Sequence, residues 1–505
     1  MRQAPWQRAK RAILCRIASG DLPATVGLRN DHRRLGSAPD QDRRHDRPAS
    51  VGRVDELVAA GMDVARLNFS HGTPADHRAA ARAVREASAR AGRPVAVLVD
   101  LAGPKVRLGR LPPGGVTLTT GTTFTLRRGA EIGDAHGAAT NHGGLGRDLE
   151  PGDRISLADG AVELRVTSTG DDVACEVVTG GVLRSHAGVN VPAVRLSLPA
   201  ITDRDRGDLV RARALGADYI AQSFVRQAAD VDALRAALGE PNIRIVAKIE
   251  TGAAVEAAAD ILQAADAVML ARGDLGVDVD LERVPLIQKR LTRQAVAMGI
   301  PAIIATHMLE SMIEEPRPTR AEVSDVANAV LDDADAVMLS AETAIGRHPV
   351  AAVQTAARIA TETERHGDEF SNPALQPEPG DPAAAVARAA ADVTAANSEV
   401  AAIACFTETG STAELLAAAR PRVPIAAFCA DETVARRLTL QRAVNPIVTD
   451  PMPDTDAVIG MLDAGLSRDF GLAAGTPVVL VAASPVGKAS TNLLKLHRVG
   501  EWSAP

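Results

Sequence analysis

Short apolar runs alternate with helix-length amphipathic stretches from residue 51 to about residue 366, and this rhythm constrains the fold more than any other feature of the chain. Most runs are continuous apolar segments, as expected for parallel strands that are buried on both faces. Helical stretches follow most of them, which predicts repeated β/α units. The runs are VARLNFS (64–70), VAVLVDL (95–101), YIAQSFV (219–225), RIVAKIE (244–250), AVMLARGD (267–274), AIIATHM (302–308) and AVMLSAE (336–342).

This pattern predicts an α/β fold built on a TIM (β/α)8 barrel. Such a barrel needs eight parallel strands, and its chemistry lies at their C-terminal ends. Most of the seven runs end in polar or charged residues, in agreement with that placement. Residues 52–60 have the pattern of a helix, so the eighth strand should lie in the aperiodic stretch just before them. We therefore expect the first barrel strand to be missing or damaged.

The rhythm breaks twice, and the breaks predict domain boundaries. Short alternating segments with Gly and Asp turns predict a small β-barrel domain inserted into the larger barrel. A stretch rich in Pro and Glu then predicts a linker to a separate α/β domain. The predicted units are an aberrant, disordered arm at 1–47, the barrel at 48–103 and 198–370, the inserted domain at 104–197, the linker at 371–382 and the C-terminal domain at 383–505.

Composition excludes several classes of function. The net charge is -7 and the pI about 5.9, so the chain has no global basic field and nucleic acid is not an expected partner. No uninterrupted apolar run reaches the roughly 18 residues of a membrane span, and no secretory signal is evident, so we expect a cytoplasmic enzyme. The four cysteines form no CxxC pair and are interpreted as buried small hydrophobes.

Two strand-end carboxylates predict a site for a hard divalent cation. Lys248 and Glu250 are two residues apart on one predicted strand, so their side chains share a face, and Asp274 ends the next run. Mg²⁺ prefers oxygen ligands and is completed by waters and substrate oxygens. With Lys248 beside it, the metal would stabilise a transferring phosphoryl group or an enolate oxygen. A structural salt bridge inside the barrel is the alternative.

Two other strand ends carry polar groups suited to a substrate. Arg66, Asn68 and Ser70 alternate on one face of the first run, and arginine suits bidentate contact with phosphate. Thr306 ends a later run and is followed by His307. The alternatives are a solvated strand end for the first group and a packed hydroxyl for Thr306.

The combination of motifs resembles the pyruvate kinase family over roughly residues 51–505. The segments that carry the resemblance are ARLNFSHG, AKIE, ARGDLG, ATHMLESMIEEPRPTRAEVSDVANAVLDDADAVMLSAET and STNLLKLHRVGE, in this order. The resemblance implies phosphoryl transfer from phosphoenolpyruvate to ADP, giving pyruvate and ATP in glycolysis. It also implies Mg²⁺ as the cofactor, with Mn²⁺ as an alternative metal, and a homotetramer.

The resemblance assigns roles to individual residues. Lys248, Thr306 and Arg66 are implied to be catalytic, and Glu250 and Asp274 are implied to hold the Mg²⁺. The residues implied to bind the substrate are Ala271, Arg272, Gly273, Asp274 and Thr306. The residues implied to face the nucleotide are Asn68, Phe69, Ser70, His71 and Arg107.

The inserted domain, which contains Asp159, is implied to close over the site as a lid and to exclude water. Two departures from the family pattern lie near the site. His307 stands in place of the usual glutamine, from which we expect an altered pH dependence. Ala187 stands where a lysine is often found, from which we expect weaker nucleotide binding.

The segment that leads into the inserted domain also departs from the family. The usual motif is Asp-Thr-Lys-Gly-Pro-Glu, whereas this chain has Asp-Leu-Ala-Gly-Pro-Lys from Asp100 to Lys105. The family's monovalent cation site would use Asn68, Ser70, Asp100 and the carbonyl of Leu101. The ammonium of Lys105 would replace the K⁺ charge, as in the K⁺-independent branch that this chain resembles. An outward-facing lysine is the alternative.

A turn in the C-terminal domain is similar to the place where the family often binds phosphorylated effectors. The hydroxyl residues there are Thr407, Thr409, Ser411 and Thr412. Hydroxyl and backbone donors at the start of a helix suit phosphate. Glu408 and the lack of a nearby Lys or Arg favour the alternative, which is simple helix capping.

Residues 40–50 differ from the family's first strand, which resembles Thr-Lys-Ile-Val-Ala-Thr-Ile-Gly-Pro-Ala-Ser. Asp40 to Arg47 can be encoded by GAC CAA GAT CGT CGC CAC GAT CGG, and reading one base later gives Thr-Lys-Ile-Val-Ala-Thr-Ile-Gly. Loss of one C near Arg47 would restore the frame at Pro48. We hypothesise that residues 1–47 are an out-of-frame translation, with a genuine polar arm as the alternative. Resequencing codons 35–55 tests this, and an intact C-run with no alternative frame would refute it.

The charged residues at 42–47 cannot fill an interior strand without a large desolvation cost. The chain would then fold poorly, leave a gap between the strands at 64–70 and 336–342, or thread an imperfect strand into the first position. An active enzyme of the family is the main prediction. The alternatives are an inactive or unstable relic, and a different barrel enzyme that acts on phosphoenolpyruvate or a keto-acid.

Overall fold

The computed structural model describes residues 12–16, 51–129, 131–158, 160–191, 197–366, 381–487 and 490–502. The strands are β1 Ala12–Arg16, β2 Val64–Asn68, β3 Ala96–Asp100, β4 Val116–Leu118, β5 Thr123–Arg127, β6 Gly137–Ala139, β7 Arg154–Leu157, β8 Val162–Ser168, β9 Val173–Thr179, β10 Gly181–Leu183, β11 Val189–Asn190, β12 Tyr219–Gln222, β13 Arg244–Ile249, β14 Ala267–Ala271, β15 Ala302–Ala305, β16 Ala336–Leu339, β17 Ile403–Phe406, β18 Ile425–Cys429, β19 Val444–Val448, β20 Pro477–Ala483 and β21 Thr491–Arg498.

The α-helices are α1 Val54–Ala60, α2 Pro74–Ala91, α3 Leu145–Asp148, α4 Asp203–Ala214, α5 Ala228–Leu238, α6 Gly252–Glu256, α7 Ala258–Ala264, α8 Arg272–Asp278, α9 Val284–Ala297, α10 Arg320–Leu331, α11 Ala341–Ala344, α12 Pro349–His366, α13 Pro382–Ala396, α14 Ser411–Ala418, α15 Glu432–Leu438 and α16 Thr455–Arg468. Short 3-10 helices lie at Val51–Arg53, Leu281–Arg283 and Glu310–Ile313. Capping boxes begin three of the barrel helices, at Thr73, Thr202 and Thr319.

Eight parallel strands form a closed barrel in the order β1-β16-β15-β14-β13-β12-β3-β2. The seven apolar runs of the sequence supply β2, β3 and β12 to β16. Their side chains are buried on both faces, because one face fills the barrel interior and the other packs against the surrounding helices. The predicted TIM barrel is therefore confirmed.

The first strand is present, so the expectation that it is missing is wrong for this structure. Ala12–Arg16 pairs with β16 on one side and with β2 on the other. Ile13, Leu14 and Cys15 are fully buried, which shows that a short apolar segment satisfies this position. The predicted disordered arm at 1–47 is thus wrong at residues 12–16. The charged segment 42–47 and residues 371–380 of the predicted linker lie outside the described residues.

Aspartates hold the N-terminal ends of neighbouring strands together. Four of the barrel strands are preceded directly by an aspartate, namely Asp63, Asp218, Asp266 and Asp335. Each carboxylate accepts a hydrogen bond from a backbone N–H of the preceding strand, donated by Ile13, Val97, Ile245 and Ala302 at 2.8–3.0 Å. These bonds satisfy strand-end donors that the barrel ladder leaves unpaired.

The C-terminal domain packs against this N-terminal end of the barrel. Its five-stranded sheet has the order β19-β18-β17-β20-β21. Leu440 is fully buried and belongs to the same apolar cluster as the interior side chains of the barrel. Arg420 forms a bidentate pair with Asp335 at 2.8 and 3.0 Å, and Arg436 binds Asp218 at 2.9 Å. The C-terminal ends of the barrel strands, where a TIM barrel carries its chemistry, are at the other end, from which the inserted domain extends.

The inserted domain is a separate domain of β-sheet, which confirms the predicted insertion of a small β domain into the barrel. It contains a six-stranded sheet of order β11-β7-β8-β9-β5-β6 and a two-stranded sheet of β10 and β4. Its own apolar core is built around Phe124, Ile155 and Leu164. Isolated bridges join Arg107 to Gly188, next to β11, and Leu108 to Thr140, next to β6, so the segment 107–108 pairs beside both edges of the six-stranded sheet.

The four cysteines are free and buried, as predicted. In the described segments, no helix has both the length and the apolar character needed to cross a membrane.

Replacing Leu14 by Asp tests whether residues 12–16 form the first strand. The carboxylate would be buried without a partner, so we expect the free energy of unfolding to fall by about 3 kcal/mol or more. Val182→Asp is the matched control, because Val182 is 52% exposed and its change should stay within about 0.5 kcal/mol. Denaturant titration measures both, and equal stability of the two variants would show that another segment forms the strand.

Candidate active site

Four charged side chains meet at the C-terminal ends of β2, β3 and β13, and all are buried. Arg66 donates to Asp100 with Nε–Oδ2 2.7 Å. Lys248 Nζ lies 2.8 Å from Glu250 Oε1 and 3.4 Å from Asp100 Oδ1. The two cations and two anions neutralise one another, which permits their burial. We call these four residues the buried charge cluster.

The turn after β12 completes the buried charge cluster. Ser223 Oγ accepts a hydrogen bond from Lys248 Nζ at 2.7 Å, and it lies 2.9 Å from the carbonyl oxygen of Leu101, to which it donates. The backbone N–H of Phe224 donates to Glu250 Oε2 at 2.8 Å. Sequence reasoning missed this turn, although Ser223 lies within the run YIAQSFV (219–225). Its signal was a pair of polar residues, Gln222 and Ser223, near the end of a strand, which many strands share.

A glycine and a strained residue give this turn its shape. A Cβ at Gly103, which has φ +66°, would lie 2.9 Å from Ser223 Cβ. Phe224 has φ 57°, a conformation that is costly for a bulky side chain. Such strain is typical of sites where the surrounding structure imposes a geometry. Here it aims the Phe224 N–H at Glu250.

The pKa shifts in the buried charge cluster follow from its geometry. Burial alone would raise the pKa of Asp100, but the charges of Lys248 and Arg66 outweigh it and lower that pKa. Burial opposes the charge of Lys248, yet Asp100 and Glu250 together raise its pKa. Burial and the nearby Asp274 raise the pKa of Glu250. The site therefore holds Lys248 as a cation and gains from a further cation near Glu250 and Asp274.

Asp274 lies in the first turn of α8, beside the buried charge cluster. Its Oδ1 accepts a hydrogen bond from Lys105 Nζ at 2.8 Å. The same ammonium lies over the ring of Phe224, 5.6 Å from its centroid. Lys105 thus points into the site and not outward, as the alternative would have it. Glu250 Oε1 is buried and contacts Lys248 Nζ at 2.8 Å, and a carboxylate oxygen is the type of ligand that Mg²⁺ prefers.

Arg272 stabilises the loop that carries Thr306. Its guanidinium binds both oxygens of Asp325 at 2.6 and 2.7 Å and the carbonyl of Thr306 at 2.6 Å. Thr306 and His307 have φ 76° and 58°, which is rare for a β-branched residue such as threonine. A Cβ at Gly273 would lie 2.9 Å from Thr306 Cγ2. The backbone that follows β14 and the threonine therefore form one surface.

The predicted nucleotide residues lie on two elements. Asn68 Oδ1 accepts from the backbone N–H of Ser70 at 2.9 Å, and Phe69 stacks on His77 with ring centroids 4.2 Å apart. His77 Nε2 also hydrogen-bonds the carbonyl of His71 at 2.8 Å. These contacts order the turn after β2. Arg107 belongs to the inserted domain and donates to the carbonyl of His186 at 3.2 Å.

The two departures and the C-terminal turn lie in different surroundings. The His307 side chain is 61% exposed and its Nε2 is 3.5 Å from Glu310 Oε2. Ala187 packs against the apolar core of the inserted domain. Asp159 lies outside the described residues.

In the C-terminal turn, Thr407 Oγ1 accepts a hydrogen bond from the Gly410 N–H at 3.0 Å. The remaining hydroxyl contacts there are Thr409 with Ser411 at 3.2 Å and Thr412 with Thr491 at 2.7 Å.

Comparison with known proteins places this geometry in a family. A model of the pyruvate kinase barrel domain matches residues 44–353, and a model of the pyruvate kinase alpha/beta domain matches residues 384–497. The chain is 42% identical over 452 residues to a pyruvate kinase of Mycobacterium tuberculosis, covering 89% of this chain and 95% of the relative.

Two further pyruvate kinases are similar over comparable lengths. That of Corynebacterium glutamicum is 41% identical over 457 residues, covering 90% of this chain and 95% of the relative. That of Geobacillus stearothermophilus is 42% identical over 469 residues, covering 90% of this chain and 79% of the relative.

Replacing Asp100 by Asn tests whether the stability of the buried charge cluster depends on the balance between its two cations and its two anions. Arg66 and Lys248 would be left with Glu250 alone, so we expect the free energy of unfolding to fall by about 3–5 kcal/mol. Asp55→Asn is the matched control, because Asp55 and its partner Arg90 are both exposed and the pair contributes about 0.5 kcal/mol. Denaturant titration compares the two, and similar small losses would contradict this account of the cluster.

Proposed function

Because the chain belongs to the pyruvate kinase family and is thus an enzyme of the transferase class, we propose that it transfers the phosphoryl group of phosphoenolpyruvate to ADP, giving pyruvate and ATP. The observation that carries this proposal is the pairing of two buried cations, Arg66 and Lys248, with strand-end carboxylates at the open end of the barrel. Phosphoryl transfer needs positive charge fixed in place before the reaction begins, and this cluster supplies it.

Pyruvate kinases use Mg²⁺, and the residues of this chain fit such an ion. Glu250 and Asp274 would hold it, because they follow the neighbouring strands β13 and β14 and each carboxylate contacts a lysine ammonium. When bound, the ion supplies Lewis-acid stabilisation of the charge on the substrate oxygens. Mn²⁺ is an alternative, since it also takes oxygen ligands.

The protein's own groups have separate roles in this proposal. Lys248 neutralises charge on the phosphoryl group and on the enolate, and its raised pKa keeps it cationic for that role. Arg66 binds the phosphate. The substrate carboxylate binds the backbone from Ala271 to Gly273, which lies against Thr306. Thr306 also lies beside the proton path to the enolate carbon.

The nucleotide binds on the side of the turn after β2. Asn68, Phe69, Ser70 and His71 form that turn, and Arg107 would contact the nucleotide from the inserted domain. The inserted domain closes over the site and excludes water, which would otherwise compete with ADP for the phosphoryl group.

Lys105 takes the place of a bound K⁺ in this proposal. Its ammonium lies 2.8 Å from Asp274 and beside Phe224, so a monovalent positive charge is already present next to the metal pair. In the same region, Asn68 Oδ1 accepts from Ser70, and Asp100 is paired with Arg66 and Lys248. The proposal is therefore catalysis without added K⁺.

An inactive relic finds no support in the site. The barrel is closed, and the residues of the buried charge cluster are in contact with one another. The enzyme is proposed to work in the cytoplasm as a homotetramer. Light scattering of purified protein should give the mass of four chains, and a monomer would contradict this.

Lys248→Met tests the reaction and the role of the buried ammonium together. Methionine keeps the apolar length of the side chain and removes its charge. In an assay of pyruvate formation coupled to lactate dehydrogenase, we expect turnover that requires both phosphoenolpyruvate and ADP, and a loss of at least about 100-fold in the variant. Lys495→Met is the control, since Lys495 lies over Trp502 in the C-terminal domain.

Circular dichroism of Lys248→Met would verify that the variant is folded. A folded variant with the turnover of the unsubstituted chain would contradict the role of Lys248, and pyruvate formation without ADP would contradict the reaction.

Replacing K⁺ by tetramethylammonium at equal ionic strength tests the role of Lys105. Equal ionic strength keeps electrostatic screening constant, so we expect turnover to change by no more than about twofold. The measurement is the same coupled assay, in which the lactate dehydrogenase needs no K⁺ of its own. A strong requirement for K⁺ would contradict the proposal.

A further inference from the structure

Lysine is rare in this chain, and its placement is informative. The sequence contains six lysines among 56 basic residues. Two of the six, Lys105 and Lys248, each bind one carboxylate of the pair Glu250 and Asp274. A lysine ammonium is a compact point charge, closer to a metal ion in shape than the planar guanidinium of arginine.

The two lysine–carboxylate pairs differ in how easily they open. Lys248 and Glu250 are 9% and 1% exposed, so this pair is enclosed and its lysine also binds Ser223. Lys105 and Asp274 are 19% and 29% exposed, so water reaches both partners. Partly exposed pairs are weak, whereas buried pairs are costly to break. Asp274 is therefore the carboxylate from which a lysine is displaced more easily.

Lys105 also connects the two domains that form the site. Its backbone belongs to the inserted domain, where its carbonyl accepts from Asn141 Nδ2 at 3.1 Å and the adjacent Val106 is in the apolar core. Its side chain reaches the barrel at Asp274. Breaking the ion pair thus frees the barrel from a direct contact with the inserted domain.

We propose that Lys105 is a placeholder for the divalent metal on Asp274: it neutralises this carboxylate when no metal is bound and is displaced when the metal binds. This inference rests on the proposed function in taking Glu250 and Asp274 as the metal pair and phosphoenolpyruvate as the substrate. The displaced ammonium needs a new anion, and the phosphate of phosphoenolpyruvate supplies one. Metal and phosphoenolpyruvate therefore strengthen each other's binding, and Lys105 provides part of that coupling.

Binding of Mn²⁺, followed by the electron paramagnetic resonance signal of the free ion, tests the placeholder without any turnover. In the absence of phosphoenolpyruvate, Lys105→Met should bind Mn²⁺ about fivefold more tightly than the unsubstituted chain, because no ion pair has to open. Lys495→Met should bind Mn²⁺ as the unsubstituted chain does. Phosphoenolpyruvate should tighten Mn²⁺ binding less in Lys105→Met than in the other two proteins. Equal affinities of Lys105→Met and the unsubstituted chain would overturn the proposal.

Amine labelling separates displacement from a mere loss of positive charge. The unsubstituted chain is acetylated briefly with and without Mg²⁺, and peptides are quantified by mass spectrometry. We expect Mg²⁺ to increase labelling of Lys105 severalfold and to leave Lys495 unchanged. If Lys105→Met binds Mn²⁺ more tightly but Mg²⁺ does not increase the labelling of Lys105, the effect is electrostatic at a distance and the placeholder is overturned.

These outcomes are distinguishable from failure of the proposed reaction. A chain in which metal displaces Lys105 but which forms no pyruvate would contradict the reaction and support the placeholder. A chain that forms pyruvate while Lys105 stays protected from acetylation at saturating Mg²⁺ would support the reaction and contradict the placeholder.

Discussion

The mutual neutralisation of Arg66, Asp100, Lys248 and Glu250 is the interaction on which the rest of the site depends. Each charge alone would be strongly unfavourable in the barrel interior, whereas two opposite pairs with well-placed hydrogen bonds are tolerated. The four residues come from three strands, so the cluster forms only when the barrel closes with the correct register. The strained turn at Phe224 and the close approach at Gly103 are local consequences, because both place groups against this cluster.

The opposite end of the barrel contains a simpler arrangement of charges. The aspartates that precede the strands bind strand-end N–H groups, and two of them also bind arginines of the C-terminal domain. The barrel is thus closed by structural ion pairs at one end and has reactive ones at the other. The Asp–Arg pairs at the N-terminal end of the barrel are therefore structural, and the proposed chemistry is confined to the C-terminal end.

Much of this could be predicted from the sequence, because buried parallel strands produce uninterrupted apolar runs. Lys248, Glu250 and Asp274 were predictable as neighbours, since strand ends of adjacent runs meet at one edge. The contact between Lys105 and Asp274 was not, because it joins residues 169 apart through a side chain from another domain. The first strand was missed for a different reason. Ala12–Arg16 is five residues long, follows Lys10 and Arg11 and itself ends in an arginine, so no period marks it, yet a short apolar segment is all that the position requires.

The central claim is that the strand-end charges form a metal-dependent phosphoryl-transfer site. Anomalous X-ray diffraction from crystals grown with Mn²⁺ and phosphoenolpyruvate tests it most directly, because the anomalous signal identifies Mn²⁺ by its element and shows which residues bind it. We expect one strong peak between the carboxylates of Glu250 and Asp274, with Lys248 still bound to Glu250. A peak elsewhere, with both carboxylates still paired only to lysines, would contradict it.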